Sequence, residues 1–239
     1  MSVARFNPTV NGPLHVGHIY SAMVNRAVAD QFLLRFDDNQ EYWVTRLGEA
    51  TMEQYAAGQL RDLLWMGVRP DVVAYQSKLE RIVQSKMAHS PHWRAVYDHL
   101  NEPVIVSKPR IEGWGTSFCI TAEKVILDHM QGVTVTVRGT ELLQENALYL
   151  YFCGIFGYSQ PKMIYIPRLM AHDGTELTNI SKTVGKWRIQ DLRGCGVEPG
   201  AIHAVLRQSC LVDPDGGWLP SNVKGNPVLE SEEVYMKMS

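Results

Sequence analysis

Arg5-Phe6-Asn7-Pro8-Thr9, followed by Pro13-Leu14-His15-Val16-Gly17-His18, is the stretch on which the fold turns. Val3 to Phe6 reads as a short buried strand, and Asn11-Gly12 is a turn signal. Apolar residues then recur at Val16, Ile19, Met23, Ala27 and Val28, which is a helical period. Two histidines therefore stand at the mouth of a strand–turn–helix unit, and Gly17 keeps the space between them open. A helix N-terminus offers unpaired N–H groups and partial positive charge, which suits a polyphosphate. Two imidazoles on its first turn can donate hydrogen bonds to phosphate oxygens as charge develops on them. Taken alone, the pair also fits an ordinary surface helix start, so the flanks must decide.

The chain of 239 residues is 45% hydrophobic and 20% charged, enough for one large domain, or a domain with a small appendage, around a proper core. A net charge of −2 gives no global basic footprint for nucleic acid, although a local patch stays open. No run of 18 apolar residues predicts a membrane span, and the N-terminus shows no charged-then-apolar leader, so a cytoplasmic protein is expected. The cysteines at 119, 153, 195 and 210 form no C-x-x-C pair. No zinc site is signalled, and small, partly buried thiols of a reduced protein are expected.

Along the chain, Phe32–Phe36 reads as a second strand ending in Asp37-Asp38, where an open α/β sheet collects its ligands. Those carboxylates suit a cation or an amino group, or equally the capping of a turn. A helix from Glu49 to Trp65 ends at Gly67, and Val72–Tyr75 is a third strand. The β-α-β-α-β order predicts a parallel, right-handed nucleotide-binding layout. Residues 77–99 read as helical with a break at Pro91. Strands are expected at Val104–Val106 and Thr116–Thr121, with Gly113-Trp114-Gly115 as the turn between them. Val133–Val137 is a β-branched strand delivering Arg138-Gly139-Thr140-Glu141 at its carboxyl end. A helix over 141–156, a strand over Lys162–Ile166 and a hairpin at Asp173-Gly174 follow. Two short helices are expected over 185–211, the second from Pro199, and residues 214–239 read as a polar extended tail.

His15-Val16-Gly17-His18 resembles the HIGH signature of class I aminoacyl-tRNA synthetases. Arg5-Phe6-Asn7-Pro8-Thr9, Leu34-Arg35-Phe36-Asp37-Asp38-Asn39, Trp65-Met66-Gly67-Val68, Tyr75-Gln76-Ser77 and Arg138-Gly139-Thr140-Glu141-Leu142-Leu143 look like the glutamyl/glutaminyl subclass. Asn179-Ile180-Ser181-Lys182-Thr183 sits where that family has its KMSKS-type loop, with Asn179 in place of the first lysine. The resemblance implies a Rossmann-type parallel sheet over residues 1–184, with a reduced insertion at about 84–116. It also implies a short helical segment and tail over 185–239, and no anticodon-binding domain. Only about 30–40 residues stand where the subclass inserts a large tRNA acceptor domain.

The implied activity is ATP- and Mg²⁺-dependent activation of an amino acid as its adenylate. The acyl group would then pass to tRNA, a small amine or a carrier. His15, His18 and Lys182 would meet the phosphates, and Gly17 would permit close approach of the nucleotide. Thr9 and Ser181 belong to the same ATP side; Leu169 and Met170 would face adenine, and Glu141 the ribose or metal. Arg5 and Arg138 would flank the amino acid, which suits a second carboxylate, and Asp37 would meet its α-amino group. Asn7 stands where the family has a smaller residue, and the family's pocket tyrosine falls near Ile120 or Phe118, neither of which supplies its hydroxyl. An acidic or amide amino acid related to glutamate is therefore expected. The alternatives are a catalytically weak paralogue that binds an amino acid and ATP, and a nucleotidylyltransferase with a related HxGH motif. Arg5, Asp37 and Arg138 together argue against the latter.

Overall fold

Strand β1 (Val3–Phe6) is buried along its whole length, as a central parallel strand covered on both faces must be. The computed structural model describes residues 1–89, 117–167, 169–173, 176–179, 187–209 and 228–229. Helix α1 (Val16–Ala27) returns to β2 (Gln31–Phe36), and α2 (Glu41–Leu47) and α3 (Glu49–Trp65) lead to β3 (Val72–Tyr75). A single turn at Ser77–Leu79 and α4 (Glu80–His89) follow; then come α5 (Ser117–Met130), β4 (Val135–Gly139), a turn at Thr140–Leu142, α6 (Leu143–Phe156) and β5 (Lys162–Ile166).

The five strands form one sheet in the order β3-β2-β1-β4-β5, parallel throughout. This is the expected Rossmann-like α/β arrangement. Its strand order reverses between β1 and β4, and ligands in such sheets settle in the crevice outside the carboxyl ends there. The strands whose ends meet that crevice deliver Arg5, Asn7 and Arg138.

Past the sheet, β6 (Met170–Asp173) and β7 (Glu176–Asn179) make the expected hairpin, with Asp173 opposite Glu176. Helices α7 (Ile189–Gly194) and α8 (Pro199–Ser209) match the two short helices read from the sequence. Their Ile189, Leu192, Val205 and Leu206 join the core built by Leu14, Ile19, Phe32, Leu34 and Leu63. No helix among the described residues is long and apolar enough to cross a membrane.

Three differences from the sequence reading matter. The strand expected at Thr116–Thr121 is instead the start of helix α5. Ala122, Val125 and Ile126 recur at helical spacing and are buried, the first two against Tyr149, Phe152 and Cys153 of α6. Each such burial is worth about 1.5–3 kcal/mol for a large side chain, which outweighs the β-preference of the threonines and Ile120. Second, helix α2 stands between β2 and α3, where the sequence predicts no element. Third, Val228–Leu229 of the expected tail forms a strand, β8, beside β6. The expected Val104–Val106 strand, the Gly113-Trp114-Gly115 turn and the break at Pro91 lie outside the described residues.

Candidate active site

Helix α1 begins directly after the β1 loop, and His15 is its N-cap. The loop is pinned from below by Gln59 of α3, fully buried, whose Nε2 donates to the carbonyls of Thr9 at 3.1 Å and Gly12 at 2.7 Å. The His15 and His18 rings lie 3.8 Å apart between centroids, tilted by 31°. The backbone N–H of His15 donates to His18 Nδ1 at 3.2 Å. An imidazole nitrogen that accepts carries no proton, so the proton of neutral His18 sits on Nε2, the donor side. Gly17 is required by space. A Cβ there would stand 3.0 Å from His15 Cε1 and 3.1 Å from its Nδ1. Arg188, just before α7, bridges to His15 through the backbone, and Ile189 N–H donates to Leu14 carbonyl at 2.9 Å. The sequence reading did not reach this neighbour, because the bridge depends on tertiary folding.

A second group of polar side chains gathers between α5, α6 and the central strands. Asp128 of α5 is at its centre. It accepts from Arg5 Nε at 2.9 Å and Nη2 at 3.1 Å, from Tyr149 hydroxyl at 2.8 Å, and pairs with Arg35 Nη2 at 2.7 Å. Burial works against its charge, but the two guanidiniums outweigh it and hold the carboxyl well below the usual range. Burial also lowers Arg35, which shares this one carboxylate with Arg5. Arg5 is therefore engaged inside the protein, a partner that the reading of Arg5 as a substrate residue did not include.

Asp37 follows β2, and its backbone continues the pairing with the loop after β1, through Val10 N–H at 3.1 Å and Pro8 carbonyl at 3.0 Å. Its side chain is 1% exposed. Oδ2 accepts from Gln40 Nε2 at 2.5 Å and Thr9 hydroxyl at 3.4 Å, and Lys124 Nζ lies 3.8 Å away. Oδ1 has no partner among the described residues. Arg138 is buried, donates from Nη1 to Asn146 Oδ1 at 2.5 Å, and stacks 4.7 Å above the Tyr149 ring. Burial, and then Arg5, lower its pKa.

The other expected site residues divide. Asn7 serves the framework, donating to the Arg35 carbonyl at 2.7 Å and Gln76 Oε1 at 2.9 Å. Ile120 sits on the α5 stripe that also carries Lys124 and Asp128, one turn apart each. Leu169 is buried in the core and Met170 is half-buried at the start of β6. Glu141 lies, by its backbone, in the turn after β4. Ser181 and Lys182 lie outside the described residues. Beside Asp37, a cavity of about 910 Å³ opens between α2, α3 and the start of α4, lined among others by Asp38, Asn39, Tyr75 and Lys78. Neither the histidine pair nor Arg138 lines it.

Comparison with known proteins bears on this geometry. The model of the catalytic domain of class I tRNA synthetases (E and Q) matches residues 2–89, which carry the histidine pair and Asp37. The likeness is to class I synthetases of the glutamyl/glutaminyl type. Glutamate–tRNA ligase 1 of Rhizorhabdus wittichii is 26% identical over 277 positions, covering 86% of this synthetase-like chain and 60% of that protein. Glutamate–tRNA ligase 2 of Sphingopyxis alaskensis is 25% identical over 274 positions, covering 88% and 60%. The chain thus spans about 60% of the length of these relatives. Among solved structures, glutamate–tRNA synthetase from Elizabethkingia anophelis superposes with a TM-score of 0.64 at 14% identity, over 99% of this chain and 69% of that one. Tyrosyl-tRNA synthetase from Archaeoglobus fulgidus gives 0.58 at 16%, over 90% and 76%. These superpositions agree with the class I synthetase fold.

Proposed function

We propose that this chain activates an amino acid with ATP, forming an aminoacyl adenylate. The observation that carries the proposal is the close His15–His18 ring pair on the first turn of α1, in the loop and helix that follow the central strand. In this reading an oxygen of the amino acid carboxylate attacks the α-phosphorus of ATP. The bond to the bridging oxygen breaks, and pyrophosphate leaves with the electron pair. The carboxylate is already a nucleophile, so the protein needs no base. It positions the reactants and stabilises charge on phosphate.

His18 donates from Nε2, His15 lies against it, and Gly17 admits the triphosphate to both. Thr9 and Ser181 lie on the ATP side, Leu169 and Met170 face adenine, Glu141 faces the ribose or metal, and Lys182 steadies the departing pyrophosphate. Mg²⁺ entering with ATP would supply neutralisation of the charge on the leaving pyrophosphate, with Glu141 as the residue on its side. Residues 1–184 form the adenylating unit, with a reduced insertion at about 84–116, and 185–239 its helical appendage. The protein acts in the cytoplasm. The acyl acceptor is tRNA, a small amine or a carrier.

The test is amino-acid-dependent exchange of pyrophosphate into ATP, across the standard amino acids and glutamate analogues, with and without total tRNA. Exchange with one amino acid, lost in His18→Ala, is expected. Unchanged exchange in His18→Ala removes the histidine assignment. Asn179, in place of the loop's first lysine, favours a second reading, a paralogue that binds an amino acid and ATP without turnover. ATP binding with no exchange under any condition would select it.

A further inference from the structure

Helix α3 buries one stripe against the core, and that stripe holds an amide where a hydrocarbon would pack. Met52, Ala56, Gln59 and Leu63 follow one another at helical spacing, and all are buried. Gln59 is 0% exposed, and its Oε1 accepts from no donor among the described residues. A buried polar group costs free energy unless it is hydrogen-bonded, so a glutamine with its acceptor unused stands where leucine or methionine would be less costly. Its donors have one specific use. Both N–H bonds of Nε2 go to carbonyls of a single loop, Thr9 at 3.1 Å and Gly12 at 2.7 Å.

That loop delivers the two histidines. The peptide between Thr9 and Val10 is held on both sides, its carbonyl by Gln59 and its N–H by the Asp37 carbonyl at 3.1 Å. The Gly12 carbonyl precedes Pro13, which has no N–H, so that peptide can be fixed through its carbonyl alone, and Gln59 fixes it. Beyond Pro13 the start of α7 takes over. Ile189 N–H donates to the Leu14 carbonyl at 2.9 Å, and Arg188 bridges to His15. His15 is the N-cap of α1, and its own N–H donates to His18 Nδ1 at 3.2 Å. From the Gly12 carbonyl to that N–H the path is backbone only, through Pro13 and Leu14, and the proline ring stiffens it.

The geometry points to Gln59 as a positioning residue for the His15–His18 pair. Its amide sets the backbone at Thr9 and Gly12, and through that backbone the direction in which the two imidazoles meet phosphate. Gln59 touches no reactant, so it acts through the histidines and not beside them. The inference rests on the adenylation reading for its kinetic measurement, but not for its spectroscopic one. Removing the amide leaves both carbonyls without the donor that holds them, and the loop shifts as they turn to others. Stabilisation by preorganised donors is lost steeply with such shifts, by about 100-fold for a displacement of about 1 Å.

The experiment compares wild type with Gln59→Met, Gln59→Asn and Leu63→Ala. Methionine keeps the length and removes both donors, and asparagine keeps the amide one methylene short. Leu63→Ala is the control, because it destabilises the same helix from the core cluster without touching the loop. Circular dichroism melts check folding. Pyrophosphate exchange gives kcat and KM, and proton–nitrogen NMR correlations read which imidazole nitrogens of His15 and His18 carry protons. Gln59→Met should lower kcat roughly 10- to 100-fold while KM for the amino acid changes less than about threefold. The His18 signals, protonated at Nε2 and accepting at Nδ1 in the wild type, should shift toward mixed tautomers. Gln59→Asn should fall between. Leu63→Ala should lower the melt and keep the wild-type kcat and imidazole signals. Wild-type kcat and imidazole signals in Gln59→Met overturn the inference. So does a Leu63→Ala variant that reproduces its losses, and so does failure of both Gln59 variants to fold, which would make the amide a structural member of the core. With no exchange by the wild type under any condition, the adenylation reading falls and the imidazole signals alone decide the role of Gln59.

Discussion

Asp128→Asn should unfold a large part of this protein's stability margin. The carboxylate receives Arg5 at 2.9 and 3.1 Å, Arg35 at 2.7 Å and the Tyr149 hydroxyl at 2.8 Å. Asparagine keeps the shape but removes the charge, and its NH₂ faces donors. Two guanidiniums, 6% and 0% exposed, would then share no counter-charge. Removing one partner of a buried pair costs about 3–5 kcal/mol, out of a total of about 5–15 kcal/mol. With an m-value of about 2 kcal/mol per M in urea, the midpoint should fall by roughly 2 M at unchanged m. The sign with pH follows from linkage. Asp128 is held below its ordinary value of 3.8, so its stabilisation is fully present above that value and lost as pH falls toward the folded-state value. The gap between wild type and variant should stay level from about pH 8 to about pH 5 and narrow below about pH 4. Urea titrations by fluorescence at several pH values provide the measurement. A midpoint shift below about 0.5 M at neutral pH would refute the view that this carboxylate holds the pair of arginines in place.

Gly17→Ala should lower pyrophosphate exchange while leaving the melt almost unchanged, because the new methyl at 3.0 Å displaces the His15 ring and not the core; wild-type exchange would show the approach is not needed. Asp62, raised to about 6 by burial against the pull of Arg193, keeps a proton in the folded state that the unfolded chain releases. Stability should therefore decline as pH rises from about 4 to about 6 through this group, and Asp62→Asn, followed by urea midpoints, should flatten that decline. The Cys153 thiol is buried and pushed up to about 11 by burial, whereas Cys195 is exposed. Iodoacetamide at about pH 8 should alkylate Cys195 and spare Cys153 in the native protein, as read by peptide mass spectrometry.

Much of the sheet was legible because its signals are local. β1, β3 and β5 fall where the β-branched and apolar runs stand, and α3 ends where Gly67 takes a left-handed φ of 75°. The parallel order follows from strands alternating with helices, for which right-handed crossovers leave few topologies. The partner of Arg5 was not legible. The spacing between residues 5 and 128 carries no signal until β1 and α5 meet in space. The same holds for Gln59, whose amide ties down a loop fifty residues earlier in the chain. Helix α2 was missed because Tyr42, Trp43 and Val44 are consecutive, which hides a helical period in so short an element.

The most consequential misreading was that of α5. Read as a strand with a turn before it, Phe118 to Thr121 offers two side chains per face and leaves the pocket position to Ile120 or Phe118. As a helix, the same segment repeats about every four residues, so Ile120, Lys124 and Asp128 share one stripe, from which Lys124 reaches Asp37 and Asp128 reaches Arg35. The contacts of Lys124 with Asp37 and of Asp128 with Arg5 and Arg35 become legible only on that period. The reason lies in competition between local and tertiary preference. Ile120, Thr121 and Val125 are β-branched and favour a strand, but Ala122, Val125 and Ile126 can be buried together only on a helix. Burial decides, and in deciding it sets Asp128 against the arginines and Lys124 beside Asp37. Helix α5 therefore supplies the carboxylate that holds Arg5 and Arg35.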